Sequence, residues 1–373
     1  DGLGTYIANN NPMAGASGDD ILYDESKTCF NVDAGDPFAA ISHGTSTAGI
    51  AGAASNNNLG IATLNWQAKI MPLQVLGDDG SGWTSKIIAA IRYAVDNGAD
   101  IISMSLGGPT NDPALQAAID YAYDHNVIVI AAAGNCGTGT EEGCDSTKPG
   151  AMSYPALSNH VISVGATDKD NVRADFSSYG PGLDVVAPGY GELISPYINR
   201  PLVNGSPSTN ASTFNFTNAY SAGLAGTSFS TPYVANVVSL IKSVKPSYTA
   251  DDVTAIIDGT AQKVSGMGGQ LYTSQYGHGL IDAAKVATIA QSLSATTSTP
   301  ELLQTGDYRS EHSFSSGALM SSGCRATTDT YCTVRLTNTL THYDRYLPYS
   351  QAISGSAGWQ WSGTILTPGE WRV

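Results

Sequence analysis

Apolar and polar residues alternate along the first two thirds of the chain in blocks of two kinds. Short apolar runs of strand length fall at Lys69–Leu76, Ile101–Leu106, Val127–Ala133, Val161–Ala166 and Leu183–Ala187. Between the earlier runs, apolar residues recur three and four apart. Thr84–Asn97 sets Ile87, Ile88, Ile91, Ala94 and Val95 on one helical face and is followed by Gly98 as a stop. Asp112–His125 also reads as a helix. Strands separated by amphipathic helices predict an α/β fold, a mostly parallel sheet covered on both faces.

Gly226–Val244 predicts a long apolar helix, and Asp251–Thr260 and Asp282–Ser292 predict two more. Ser292–Pro300, mostly serine and threonine, reads as a linker. Ser313–Val373 is rich in Thr, Ser, Trp and Tyr and reads as β structure that stops in mid-pattern. The expected organisation is a large α/β domain over 1–291, a linker over 292–300 and a partial β-rich domain over 301–373.

Composition narrows the function. The 373 residues are 42% hydrophobic, enough for a sizeable core, but only 13% charged, with 41 glycines. A net charge of −15 argues against a nucleic-acid partner, which would want a basic face. No apolar run approaches the roughly 20 residues that span a bilayer. Among five cysteines, Cys136/Cys144 and Cys324/Cys332 are each eight residues apart across loop-type sequence. Two local disulfides and an oxidising compartment, secreted or periplasmic, are the economical reading. Cys29 is left over, and no ligand spacing suggests zinc.

Two segments carry chemistry: His43-Gly44-Thr45-Ser46-Thr47-Ala48-Gly49 and Gly226-Thr227-Ser228-Phe229-Ser230-Thr231-Pro232. Each opens a small-residue helix after a loop. A serine becomes a nucleophile only when a base takes its proton, and histidine has the suitable pKa. Both segments resemble signatures of the subtilase family of serine endopeptidases, in that family's order. The resemblance implies a three-layer subtilisin-like fold over the α/β region and polypeptide substrates, with an upstream propeptide and a monomeric enzyme. By the same resemblance Ser228 is the nucleophile and His43 the general base and acid.

Further roles follow only from that resemblance. Asn135, ending Ala131-Ala132-Ala133-Gly134-Asn135, corresponds to an oxyanion-hole asparagine acting with the Ser228 N–H; the bland alternative is a turn residue. Ser105, Leu106 and Gly107 resemble one strand that pairs with the substrate, and Gly80, Ser81 and Gly82 the opposing one. Ala132, Ala133 and Gly134 would wall the primary pocket, and the lack of an acid among these predicts apolar or broad specificity. Trp83 follows Gly82 in that opposing segment, with plain surface packing as the alternative. Asn57, Leu59 and Ile61 resemble a structural calcium loop, with an ordinary polar turn as the alternative; no catalytic cofactor is implied.

The third family signature is a strand ending in Asp, then Ser, Thr or Asp, then Gly. The chain begins Asp1-Gly2-Leu3-Gly4, which resembles kexin-like members with the catalytic aspartate immediately upstream. The other register makes Asp1 the triad acid, 42 residues before His43. In either register the strand that should precede Asp1 is missing; in the first, which the Gly2-Leu3 pair favours, the aspartate is missing as well and this chain is expected to be poorly active. The alternative functions are a non-catalytic subtilase-fold binding protein, a lipase, which would want Gly where Ser230 stands, and an acid protease lacking the His43 motif.

Overall fold

The computed structural model describes residues 42–294, apart from 78–79, 141–143, 192, 197–201, 204–205 and 214–219, together with the backbone of five strands between 320 and 372. Asp1, Cys29 and Cys324 lie outside the described residues. The chain forms α1 (His43–Gly52), α2 (Thr84–Asp96), β1 (Ile101–Met104), α3 (Pro113–Asp124), β2 (Ile128–Ala132), β3 (Val161–Thr167) and β4 (Val185–Pro188). There follow β5 (Leu193–Pro196), β6 (Leu202–Val203), β7 (Ser206–Pro207), β8 (Tyr220–Leu224), α4 (Thr227–Val244), α5 (Ala250–Thr260) and α6 (Ala283–Ser294). The C-terminal strands are β9 (Met320–Ser322), β10 (Cys332–Asn338), β11 (Tyr343–Gln351), β12 (Trp359–Trp361) and β13 (Trp371–Arg372), an antiparallel sheet in the order β13-β10-β11-β12-β9.

Strands β1 to β4 lie side by side in chain order and all run parallel, with Met104 opposite Ala131, Ala132 opposite Val164 and Thr167 opposite Pro188. Their side chains divide with the period of two that a pleated strand imposes. Ile128, Ile130, Ile162, Val164 and Val185 pack with Val234, Val238 and Ile241 of α4 and Val253 and Ile257 of α5. Val129, Ala131 and Val186 pack with Ile91 of α2 and Leu115 and Ile119 of α3. Helices therefore cover both faces, giving the expected three layers. Local chemistry marks the helix starts: Asp112 Oδ1 accepts from Ala114 N at 2.8 Å ahead of Pro113, and Thr249 and Asp252 form a reciprocal capping box.

One expected strand is corrected. Lys69–Leu76 does not join the sheet; among the described residues its sole ladder contact is the antiparallel bridge Leu76↔Gly82. The period of two is present, with Met71, Leu73 and Val75 half-buried and Pro72 and Gln74 exposed. A strand also needs a neighbour for its N–H and C=O groups. Residues 80–82, expected as a strand, form a turn closed by Gly77 N to Ser81 O at 2.7 Å. The segment 189–225, for which the sequence pattern predicted no element, holds the two-stranded ladders β5–β8 and β6–β7.

α4 contacts all four sheet strands together with α1, α5 and α6. Its interior contains Pro232, a residue that costs about 3 kcal/mol or more inside a helix. Complete burial of Val234, Val237, Val238 and Ile241 outweighs this at roughly 1.5–3 kcal/mol per side chain. Proline has no N–H, so the carbonyl four residues earlier, that of Ser228, loses its helical donor. Ser105 Oγ, just beyond β1, supplies the replacement at 2.6 Å. A Ser105→Ala variant leaves that carbonyl without the donor. It should lose about 1–3 kcal/mol of stability, measured by urea unfolding.

A second buried polar group sits under α5. His278 and Asp258 are 5% and 2% exposed, with Nε2 and Oδ2 3.6 Å apart. Burial holds the imidazole down at about 3, and the Lys263 ammonium adds to this. Burial, and then the nearby Asp184 carboxylate, push the Asp258 carboxyl well above its ordinary range. The signs oppose. As pH falls below the ordinary imidazole range, the unfolded chain takes up a proton that buried His278 refuses, and stability drops. Over the same range folded Asp258 holds a proton that the unfolded carboxylate lacks, and stability rises. Between about pH 4 and 6, His278→Gln should make the stability–pH slope more negative than the parent's by about 1.4 kcal/mol per unit, and Asp258→Asn should make it more positive. Urea titrations at several pH values measure both slopes; changes of the same sign would contradict this account.

Candidate active site

The predicted residues converge where the sheet strands end. β1 runs into Ser105, Leu106 and Gly107, β2 runs into Ala133, Gly134 and Asn135, and β4 runs into Gly189, whose carbonyl accepts from Gly226 N at 2.8 Å. Gly226 has φ 145°, a conformation that side chains other than hydrogen rarely adopt, and it turns the chain straight into α4. Ser228 is thus the second residue of that helix, at a terminus whose N–H groups no helical carbonyl reaches. It is 6% exposed, and its Oγ lies 3.5 Å from the Ser105 carbonyl oxygen.

His43 opens α1, which packs against α4. Its ring stands edge-on to that of Phe229, the neighbour of Ser228, with centroids 6.2 Å apart. The two sequence motifs, far apart along the chain, are therefore side by side. The imidazole is 7% exposed, and burial lowers its pKa from 6.5 to about 3. It is neutral at physiological pH and so holds the form that can accept a proton.

Asn135 is tied to the residue before the serine. Its Oδ1 accepts from Thr227 N and from Thr227 Oγ1, both at 3.0 Å. A main-chain N–H can only donate, so the atom facing Thr227 is the amide oxygen and the NH2 group points elsewhere. Thr227 Oγ1 also accepts from Gly134 N at 3.3 Å. The two expected pocket walls are tied together by Ser153 and Tyr154: Ser153 N donates to Ala133 O, and Gly108 and Tyr154 exchange two hydrogen bonds, all at 2.9 Å. A Cβ on Gly107 or Gly134 would come within 2.7 Å of the Ser153 side chain, so both glycines are required by that close approach.

The remaining expected residues fall elsewhere. Gly80, Ser81 and Gly82 form the turn described above, beside Trp83, which is 76% exposed. Cys136 and Cys144 are disulfide-bonded. Cys332 begins β10, its side chain and Cys324 being outside the described residues, as is Asp1. Asn57 Oδ1 accepts from Leu59 N at 3.0 Å in an exposed turn, with Ile61 half-buried beyond it. Sequence reasoning quoted Thr227 within a motif but gave it no role, and it missed Ser153 and Ser178; contacts made across the fold leave no periodic trace in the chain.

Comparison with known proteins shows the family. A model of the subtilase family matches residues 19–279. Thermitase of Thermoactinomyces vulgaris is 39% identical over 226 residues, 61% of this chain and 69% of thermitase. Subtilisin DY of Bacillus licheniformis is 37% identical over 245 residues, 66% of this chain and 77% of that protein. Among solved structures, a protease from Pseudoalteromonas arctica PAMC 21717 superposes with a TM-score of 0.54 at 31% identity, covering 67% of this chain and 71% of that one. The chain belongs to the subtilase family and is a serine-type endopeptidase.

Proposed function

We propose that the protein hydrolyses peptide bonds through an acyl-enzyme on Ser228, and that it does so outside the cytosol. The observation that carries the reading is the juxtaposition of α1 and α4, which sets a buried, neutral imidazole beside the residue adjoining the serine. His43 takes the proton from Ser228 Oγ as the hydroxyl oxygen adds to the substrate carbonyl. It then passes that proton to the departing amine. A water repeats the sequence on the ester and regenerates the serine. The oxyanion that forms twice is met by the Ser228 N–H and the Asn135 NH2, which the Thr227 bonds turn away from Thr227 itself. The triad acid is expected ahead of His43, and Asp1 is the candidate this chain offers.

Extended polypeptides are the proposed substrates, laid along Ser105–Gly107 and the turn at Gly80–Gly82, with the P1 side chain beside Ala132–Gly134. No acid lies among these residues, which supports apolar or broad selectivity. The Cys136–Cys144 disulfide supports an oxidising compartment. Structural calcium at Asn57, Leu59 and Ile61 would draw on amide and carbonyl oxygens alone, the hard donors that calcium prefers.

A fluorophosphonate should label the full-length protein at Ser228. Ser228→Ala should abolish labelling and peptide hydrolysis. Asn135→Ala should keep labelling but lower kcat by roughly 10²–10³, the loss known for subtilisin itself when its oxyanion donor is removed. Full hydrolysis by the Ser228→Ala variant would sink the assignment, and a folded parent that never labels would point to a binding protein. Chelation by EDTA should lower the thermal midpoint by about 2–4 °C if bound calcium contributes about 1 kcal/mol. Asn57→Ala should remove that sensitivity, and a midpoint indifferent to EDTA would exclude the ion.

A further inference from the structure

Ser178 lies outside both sequence motifs and outside the expected pocket walls, and it is fully buried. It grips the chain on both sides of Asn135. Its N–H donates to the Gly134 carbonyl at 2.9 Å, and its Oγ accepts from Cys136 N at 2.9 Å. The two peptide units flanking the asparagine are therefore held by one residue from a different part of the fold. Neighbouring bonds keep Ser178 in place. Phe176 O accepts from Gly137 N at 2.7 Å, and Arg173 Nη1 donates to Ser177 O at 2.6 Å with its guanidinium over the Tyr179 ring. Ser177 Oγ accepts from Ala166 N at 2.9 Å, which anchors the turn to β3. The Asn135 side chain is fixed at its far end by Thr227, and its main chain is fixed by Ser178. An oxyanion donor works only when its amide is already aimed before charge develops. Thr227 sets the rotation of the amide, but where that amide begins is set by the main chain.

We propose that Ser178 is a positioning residue for the oxyanion donor Asn135, holding the peptide units before and after it so that the amide meets the developing charge. This rests on the reading of Asn135 as an oxyanion donor. Ser178 touches neither substrate nor the reacting atoms; its hydroxyl acts through the Cys136 N–H.

The test is a double-mutant cycle on the full-length protein with a peptide p-nitroanilide, each preparation normalised by active-site titration. Ser178→Ala should lower kcat about tenfold with KM within about twofold, because the missing alignment is felt in the transition state. In the Asn135→Ala background the same change should have no further effect on kcat. An equal tenfold loss in both backgrounds would mean a general structural role and overturn the proposal, as would an unchanged kcat in Ser178→Ala alone. If Asn135→Ala alone leaves kcat intact, the oxyanion reading itself has failed, a result distinct from either of these. A peptide aldehyde, whose adduct carries an oxygen into the hole, should bind about tenfold more weakly to Ser178→Ala, while a product peptide binds as before. Where Ser178→Ala does not accumulate as folded protein, the similarly shaped pair Ser178→Thr and Ser178→Val carries the test, since only threonine keeps the acceptor. The valine variant should fall about tenfold below the threonine variant in kcat, and equal values would overturn the proposal.

Discussion

The site depends on where α4 begins. The helix packs against all four strands of the parallel sheet and starts beside the end of β4, where Gly226 with φ 145° makes the start abrupt. That position sets Ser228 at the helix head and Thr227 within reach of Asn135. It also brings Phe229 against the His43 ring. Pro232 adds a constraint of its own. By removing one helical donor it leaves the Ser228 carbonyl to Ser105, and so ties the helix head to the end of β1. The apolar burial farther along α4 keeps this arrangement from relaxing, because moving the head would drag Val234, Val238 and Ile241 out of the core.

Most of the scaffold could be read along the chain because it is periodic. α2 follows its apolar face from Thr84 to within one residue of the expected end, and the switch from Val129 on one face to Ile130 on the other is plain alternation. The parallel sheet followed from strands broken by helices. Lys69–Leu76 shows the limit of that reasoning. Its pattern is that of a strand, but a strand exists only with a hydrogen-bonding neighbour, and pattern alone does not name one. The ladders of 189–225 failed the other way, since segments as short as Leu202–Val203 are too brief for a period to register.

The sequence named residues of the candidate site, but not the contacts that hold them. His43 and Ser228 stand in motifs whose residue types the chemistry demands. The groups that hold them are single hydroxyls: Ser105 reaches Ser228 across 123 positions and Thr227 reaches Asn135 across 92. Such contacts are created by tertiary folding. Serine and threonine carry little propensity either way, so nothing along the chain announces which of them will be buried.

The low charge content has a structural counterpart. Ser46 Oγ donates to Pro196 O at 2.6 Å, while Ser195 Oγ donates to Ser46 O at 2.7 Å, a reciprocal pair that clamps the His43 helix to β5. Ser230 Oγ donates to Ala187 O at 2.9 Å and joins α4 to β4. Ser46, Ser195 and Ser230 are all buried. A lysine or carboxylate in such a place would be far more expensive to desolvate and would impose its own field on the imidazole. A hydroxyl bonds one carbonyl, fits beside the backbone and adds no net charge. The interior near His43 and Ser228 can therefore be stapled tightly while its electrostatics stay with the few groups that act. That division is how a chain with 13% charged residues can hold Ser228 and a neutral His43 in register.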